Sequence, residues 1–207
     1  MGTIVNMQKI SKVFGDHIIL HQFDLRIDEG EFVVIIGKSG SGKSTLLNIM
    51  GLLLKADSGN LELFDKKNVR PYSVTAEKLL RNKIGYLFQN FALIDEETVY
   101  DNLKLVLTGK NKQNQMDAVL NEVGLQGYGK KKIFQCSGGE QQRIALARLL
   151  LKPCELVLAD EPTGSLDHEN KMIVCHLLKK MNEEGKTIVV VTHDEELKQF
   201  ADRIITL

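Results

Sequence analysis

The stretch from Gly37 to Ser44 constrains the fold of this chain more than any other. It reads G-K-S-G-S-G-K-S and matches the phosphate-binding pattern G-x-x-x-x-G-K-[ST] without a gap. An apolar, mostly β-branched run, Phe32–Ile36, precedes it, and residues 45–50 have a helical pattern. A strand, a glycine-rich turn and a helix in this order form a cradle of backbone N–H groups for phosphate. The sequence therefore predicts that the chain binds a nucleoside triphosphate.

Individual residues of this loop have predicted roles. Lys43 can reach the β- and γ-phosphates, and Ser44 can bind Mg²⁺. A GTPase is disfavoured because no N-K-x-D motif follows the loop, and Asn82-Lys83 lacks the aspartate. The candidate nucleotide-binding residues of the loop are Gly37, Lys38, Ser39, Gly40, Ser41, Gly42, Lys43, Ser44 and Thr45.

Composition restricts the class of partner. The 207 residues suffice for one compact domain, and 27 basic side chains balance 27 acidic ones. Because a general nucleic-acid binder usually has a basic excess, we expect no nucleic-acid partner. Three cysteines without a C-x-x-C pair indicate free thiols in a reducing cytoplasm. No apolar run approaches the ~20 residues that span a bilayer, and we expect no signal peptide. Any membrane role should then come through a partner.

The order of strands and helices predicts an α/β fold. Residues 4–10, 17–20 and 23–27 have the pattern of short strands, and strands alternate with helices from residue 153 to the end. This alternation indicates a mostly parallel sheet with helices on both faces. Between 91 and 152 the pattern is helical, with helices expected at 99–107 and 116–123. We expect one domain over 1–207: an α/β core of 1–90 and 153–207, and an inserted helical subdomain of 91–152.

Two carboxylates follow a buried strand after residue 155. Ligands of parallel sheets bind at the carboxyl ends of the strands, where the phosphate loop also opens. Asp160 is then placed to hold Mg²⁺, and Glu161 to orient or deprotonate an attacking water. The alternative is an ordinary strand end, capped by polar residues before Pro162.

Two further motifs allow two interpretations each. His193 ends the apolar run 187–192, so it is either a polar strand cap or a donor to the γ-phosphate. Ser137 and Glu140 have the spacing of a capping box at a helix start. The intervening Gly138 and Gly139 are not needed for a cap, and they would suit a second phosphate contact. Such a contact makes sense if it closes over the nucleotide of another subunit.

These blocks, in this order, resemble the ATP-binding subunits of ABC transporters over essentially the whole chain. The resemblance implies a P-loop NTPase (RecA-like) fold with an N-terminal antiparallel β region, and hydrolysis of ATP with Mg²⁺. It implies that Phe14 stacks on adenine and that Gln89 serves both catalysis and Mg²⁺ binding. The remaining family positions are the signature residues Ser137, Gly138, Gly139 and Glu140, the Walker-B pair Asp160 and Glu161, the D-loop residues Ser165, Leu166 and Asp167, and the catalytic His193.

Finer details are similar to the subgroup serving lipoprotein release, macrolide-type efflux and bacteriocin export. The run S-G-G-E-Q-Q-R at 137–143 and residues 98–103 carry this similarity. Cys136 replaces the usual leucine of the signature, and we expect little effect because that position packs. The chain ends at Leu207, where many relatives continue, so we expect no regulatory domain.

The resemblance also implies partners. We expect a head-to-tail pair, either a homodimer or a pairing with another ATPase subunit, bound to an integral membrane permease at the cytoplasmic face of the cell membrane. The expected role is ATP-driven export of a peptide, bacteriocin, lipid or drug-like substrate. One alternative is an ATPase that regulates a membrane complex without transport. A soluble ABC ATPase of repair or translation is disfavoured by the single domain and the lack of positive charge.

Overall fold

A computed structural model of the chain describes residues 2–109, 111–164 and 166–207. The strands are β1 Thr3–Phe14, β2 His17–Asp28, β3 Phe32–Ile36, β4 Ser58–Leu63, β5 Ile84–Leu87, β6 Leu156–Asp160, β7 Thr187–Thr192 and β8 Arg203–Thr206. The α-helices are α1 Lys43–Met50, α2 Val74–Asn82, α3 Val99–Lys104, α4 Lys112–Glu122, α5 Gly138–Leu151 and α6 His168–Glu183. Short 3-10 helices cover Tyr128–Lys130, Ile133–Gln135 and Glu195–Phe200.

The centre of the fold is a parallel sheet in the order β5-β6-β7-β3-β8. Its inner strands β3, β6 and β7 are apolar except at the ends of β6 and β7, because both faces of the sheet are covered. Alternate residues of β3 divide between two cores: Val34 packs with α3 to α6, whereas Val33 and Ile35 pack with α1, α2 and the second sheet. The expected α/β fold with a mostly parallel sheet is confirmed.

The second sheet is antiparallel, in the order β2-β1-β4. The sequence suggested two separate strands at 17–20 and 23–27, but β2 is continuous. Gln22, with φ 46°, forms an irregularity whose N–H donates to Ser11 Oγ at 3.0 Å. Lys9, with φ 51°, forms a second irregularity, and its N–H donates to Asp24 Oδ1 at 2.8 Å. These β-bulges keep two long strands paired where local patterning suggests a break.

The helices α3, α4 and α5 lie between β5 and β6 in the sequence and share one hydrophobic cluster with α6 and the sheet. α4 begins at Lys112, four residues before the predicted helix. The prediction missed its first turn because residues 112–115 are polar and lack the apolar spacing that identifies a helix. α6 begins at His168, ahead of its first apolar side chain, Met172. Its start is fixed by Asp167, whose carboxylate accepts a hydrogen bond from Asn170 N. Within the described ranges, no helix combines the length and apolarity needed to cross a membrane.

Candidate active site at the carboxyl edge of the parallel sheet

The glycine-rich loop between β3 and α1 has the geometry of a phosphate cradle. Gly42 has φ 95°, and a Cβ there would lie 2.8 Å from Ile19 Cγ2, so only glycine fits. Lys43 is buried, and its ammonium group donates to the carbonyls of Gly37 at 2.8 Å and Lys38 at 3.0 Å. These contacts bring the ammonium group back over the loop, at the N-terminus of α1.

Ser44 and Asp160 come together although 116 residues separate them. Ser44 Oγ donates to Asp160 Oδ1 at 2.9 Å. Burial and the neighbouring Glu161 raise the pKa of the Asp160 carboxyl, while the bond from Ser44 opposes the shift. One hydroxyl and one carboxylate are hard oxygen donors, and Mg²⁺ in nucleotide sites is bound by such a pair together with substrate phosphates. The donor set therefore fits Mg²⁺ that is shared with a nucleotide.

Glu161 directly follows β6 and is held by three donors from the end of β7. Its Oε2 accepts from Thr192 Oγ1 at 2.9 Å and from His193 N at 3.3 Å, and its Oε1 lies 3.0 Å from His193 Nδ1. The backbone of Glu161 is left-handed, with φ 46°, a strained conformation for a side-chain-bearing residue. Its carboxylate is 12% exposed, whereas the imidazole of His193 is 73% exposed. A fixed carboxylate at the rim of the sheet can accept a proton from a water.

Two cavities meet at the phosphate loop. One is lined by the loop together with Gln89, Glu161 and His193. The other shares Ser44, Thr45 and Gln89 with it and reaches Phe14, whose side chain is half exposed. The loop residues Gly37, Lys38, Ser39, Gly40, Gly42, Lys43, Ser44 and Thr45 line one or both cavities, and Ser41 lies within the same turn.

The signature stretch begins α5 with a complete capping box. Ser137 Oγ accepts from Glu140 N at 3.3 Å, and Glu140 Oε2 accepts from Ser137 N at 2.7 Å. Tyr128 Oη also donates to Glu140, at 2.7 Å, and Lys131 forms an ion pair with it. Although burial opposes the shift, the bonds from Tyr128 and Ser137 N lower the pKa of Glu140 to about 2. The side chain of Glu140 thus holds the helix start in place.

The signature glycines stand apart from the nucleotide cavities. Of the described residues, those that line the two cavities do not include Ser137, Gly138 or Gly139. A Cβ added to Gly138 would meet nothing within 4 Å, so this backbone is open to a ligand or another molecule. Among the D-loop residues, Leu166 lines a smaller cavity with Glu161 and His193, and Asp167 caps α6. Ser165 lies outside the described residues.

Several residues at the site carried no signal in the sequence. Thr192 fixes Glu161, and Tyr128 and Lys131 support Glu140, as described above. Gln142, fully within α5, donates to Pro162 O at 2.7 Å and links the signature helix to the loop after Glu161. All four contacts join residues that only tertiary packing brings together. The one available sequence signal is the capping-box spacing, which marks the helix start that Tyr128 and Lys131 contact.

Comparisons with known proteins identify the family. The family model described as ABC transporter matches residues 20–164, more than half of the chain. The macrolide export ATP-binding/permease protein MacB of Campylobacter jejuni is 40% identical over 99% of this chain and 33% of its own length, and MacB of Chlorobaculum tepidum is 39% identical. The chain thus spans about a third of the length of these relatives.

A relative of similar length also belongs to the ABC transporter family. The ABC transporter ATP-binding protein MJ0796 of Methanocaldococcus jannaschii is 40% identical over 99% of this chain and 93% of its own length. MJ0796 has been solved as a dimer in a post-hydrolysis state bound to ADP and Pi. That structure matches with a TM-score of 0.90 over 99% of this chain and 94% of its own chain. The P-loop NTPase fold of ATP-binding cassettes is therefore confirmed, and this chain belongs to the ABC transporter family, as an ATP-binding cassette that hydrolyses ATP.

Proposed function

We propose that the chain is the ATPase subunit of a membrane transport complex and works as a head-to-tail pair. The observation that carries the proposal is the separation of two phosphate-binding elements. The loop at 37–45 shares its cavities with Gln89 and Glu161, whereas Ser137, Gly138 and Gly139 lie outside those cavities, and Ser137 and Gly138 are exposed. A second copy of the chain, or a paired ATPase subunit, then brings its signature to the nucleotide of the first.

In the proposed site the loop amides and Lys43 bind the phosphates, and the ring of Phe14 stacks on adenine. Glu161 accepts a proton from the water whose oxygen attacks the γ-phosphorus, and the bond to the bridging oxygen of ADP breaks. His193 and Thr192 hold Glu161 in place, and Gln89 faces the γ-phosphate. Mg²⁺, when bound by Ser44 and Asp160 with Gln89 alongside, neutralises charge on the phosphates.

The signature acts in trans in this proposal. The N–H groups at the start of α5, with the hydroxyl of Ser137, meet the γ-phosphate held by the partner's loop, and Glu140 keeps that helix start rigid. Leu166 and Asp167 belong to the D-loop, which acts beside this contact in the proposal, and Ser165 is the third residue assigned to that loop. Helices 91–152 then act as a signature subdomain that moves against the core of 1–90 and 153–207.

The membrane partner is proposed to be an integral permease that places this chain at the cytoplasmic face of the cell membrane. An apolar groove beside β5 supports the proposal. Tyr86, Phe88 and Leu105 line it, and Leu105 is 62% exposed. The basic side chains of Arg148 and Lys152 also line the groove. We propose a cytoplasmic helix of the permease as its occupant. The names of the MacB relatives, which join an ATP-binding and a permease function for macrolide export, support export rather than import.

The test is a pull-down from detergent-solubilised membranes with the tagged chain, followed by reconstitution of the isolated complex in vesicles. We expect an integral membrane protein in stoichiometric amount and an ATPase rate that changes when it is present. ATP-driven substrate movement would distinguish an exporter from a regulator that drives a membrane complex. A chain that remains in the soluble fraction, with full activity alone, would contradict the membrane role and favour a repair or translation ATPase.

A further inference from the structure

A single arginine of the signature helix holds the backbone that follows Gln89. Arg148 lies near the end of α5, and its Nη1 donates to Ala92 O at 2.6 Å while Nη2 donates to Phe91 O at 2.8 Å. Burial lowers the pKa of this guanidinium, and within the described ranges it has no carboxylate partner. The two carbonyls are therefore the groups that compensate its desolvated charge.

The two residues that Arg148 contacts have an unfavourable backbone. Phe91 has φ 63° and Ala92 has φ 48°, so two consecutive residues with side chains are left-handed. Such a conformation persists only where the surroundings over-determine it. A second buried side chain, Asn102 of α3, holds the next part of the segment: Ile94 N donates to its Oδ1 at 2.8 Å, and its Nδ2 donates to Ile94 O at 3.2 Å.

The held segment is separated from Gln89 by one residue, Asn90. Gln89 itself is exposed and lines the nucleotide cavities. At the other end of α5 are the signature glycines, roughly 15 Å along the helix axis from Arg148 at 1.5 Å per residue. Because an α-helix of 14 residues moves as a rigid rod, a displacement of the signature is also a displacement of Arg148.

We propose that Arg148 is a positioning residue that ties Gln89 to the signature helix. It keeps residues 91 and 92 in the left-handed turn, so that engagement of Gly138 by the partner's nucleotide sets the place of Gln89 in the chain's own cavity. The inference rests on the proposed trans action of the signature. It adds to that function a route by which each half of the pair senses the other.

The experiment compares three variants of the full chain. Arg148→Met removes both donors and retains a long stem, and Arg148→Lys keeps the charge without the two parallel donors. Arg81→Met, on an exposed position in the last turn of α2, is the matched control. Hydrogen exchange of the peptide 89–97, ATP affinity of the monomer, and kcat and KM for ATP are measured for each, with thermal unfolding to check the fold.

For Arg148→Met we expect amide exchange in 89–97 to rise at least tenfold and kcat to fall about tenfold to a hundredfold, with KM and ATP affinity within threefold of the wild-type values. Arg148→Lys should lie between these values and the control. A purely structural arginine would change exchange over the whole of α5 and lower the unfolding temperature without a selective loss of kcat.

Arg148 variants that match Arg81→Met in exchange and kcat would overturn the inference. So would two Arg148 variants that fail to fold while the control folds, because the residue is then needed for the fold alone. Failure of the proposed function is a separate result: the wild-type chain would form no ATP-dependent pair, although exchange in 89–97 would still respond to Arg148→Met.

Discussion

Glu161 Oε1 lies 3.0 Å from His193 Nδ1, which joins the ends of two neighbouring parallel strands at the rim of the nucleotide cavity. This contact orients the imidazole with Nδ1 towards the carboxylate and leaves Nε2 facing outward. While Nδ1 donates to Glu161, Nε2 can donate to a phosphate only in the imidazolium form. His193 therefore holds the strand end and also lines the nucleotide cavity, and its role as a donor to the γ-phosphate stays a prediction.

Glu161→Gln should abolish turnover and preserve ATP binding. The amide cannot take a proton from water, and loss of a general base typically lowers the rate by about 10²–10⁴. The phosphate contacts of Lys43 and the loop amides remain. Steady-state hydrolysis and equilibrium binding of a fluorescent ATP analogue measure the two effects. Near-normal turnover would remove Glu161 from the proposed role.

Thr192→Val should lower kcat and leave ATP affinity unchanged. Thr192 is buried, donates to Glu161 Oε2 and accepts from Asp194 N at 2.9 Å, so valine of similar shape leaves both groups without this partner. An unmade buried hydrogen bond costs about 1–3 kcal/mol, which corresponds to roughly a fivefold to 150-fold fall in kcat if the full loss is felt in the transition state. Thr192→Ser retains the hydroxyl and should restore most of the rate. Equal kcat for the valine and serine variants would show that this bond does not orient the base.

Phe14→Ala should weaken ATP binding, whereas Phe14→Tyr should not, because the aromatic face is what stacks on adenine. Phe14 is 48% exposed and lines the same cavity as Thr45, so truncation of its side chain leaves little buried void. Titration with ATP measures the difference, and inorganic triphosphate provides a ligand without adenine. If both variants lose folded protein equally and the remainder binds normally, Phe14 is a packing residue.

Gly138→Asp should leave ATP binding by the monomer intact and remove the ATP-driven pair. A Cβ added at Gly138 would meet nothing within 4 Å, so the position has room for a side chain, while the new carboxylate would face the partner's triphosphate. Size-exclusion chromatography of the Glu161→Gln chain with ATP supplies the reference dimer. Absence of that dimer, even with the permease added, would contradict a shared site.

Mixing Lys43→Ala chains with Gly138→Asp chains gives a complementation test. In a mixed pair, one interfacial site combines both lesions and the other joins an intact loop to an intact signature. Some ATPase activity should therefore return on mixing, unless the two sites must fire together. Each variant alone is the control, since its own pairs contain no intact site.

The stability contributed by Glu140 should disappear in acid. Its pKa is lowered to about 2 from an ordinary value of 4.5, so the carboxylate contributes fully above pH 4.5 and its contribution falls as the pH drops towards 2. Glu140→Gln removes the titrating group while it keeps an acceptor. Urea unfolding should then show a stability difference between wild type and variant that narrows as the pH falls from 4.5 towards 2. A constant difference would show that the network does not depend on the charge.

The sequence by itself determined the phosphate loop, the two carboxylates at the end of β6 and the alternation of strands and helices. These features are local: a glycine spacing sets the backbone turn of 37–42, and an apolar run identifies a strand buried on both faces. Asp160 ends such a strand and Glu161 follows it, so their placement at the sheet edge needed only the rule for parallel strands.

Only the tertiary structure decided which side chains serve these residues. Thr192 reaches Glu161 because β6 and β7 are neighbours in register, and Arg148 reaches Phe91 across 57 residues of chain because α5 packs beside β5. The bulges at Lys9 and Gln22 likewise depend on the facing strand. A hydrogen bond across such distances leaves no periodicity in the sequence, because its partners are brought together by burial of the apolar faces around them.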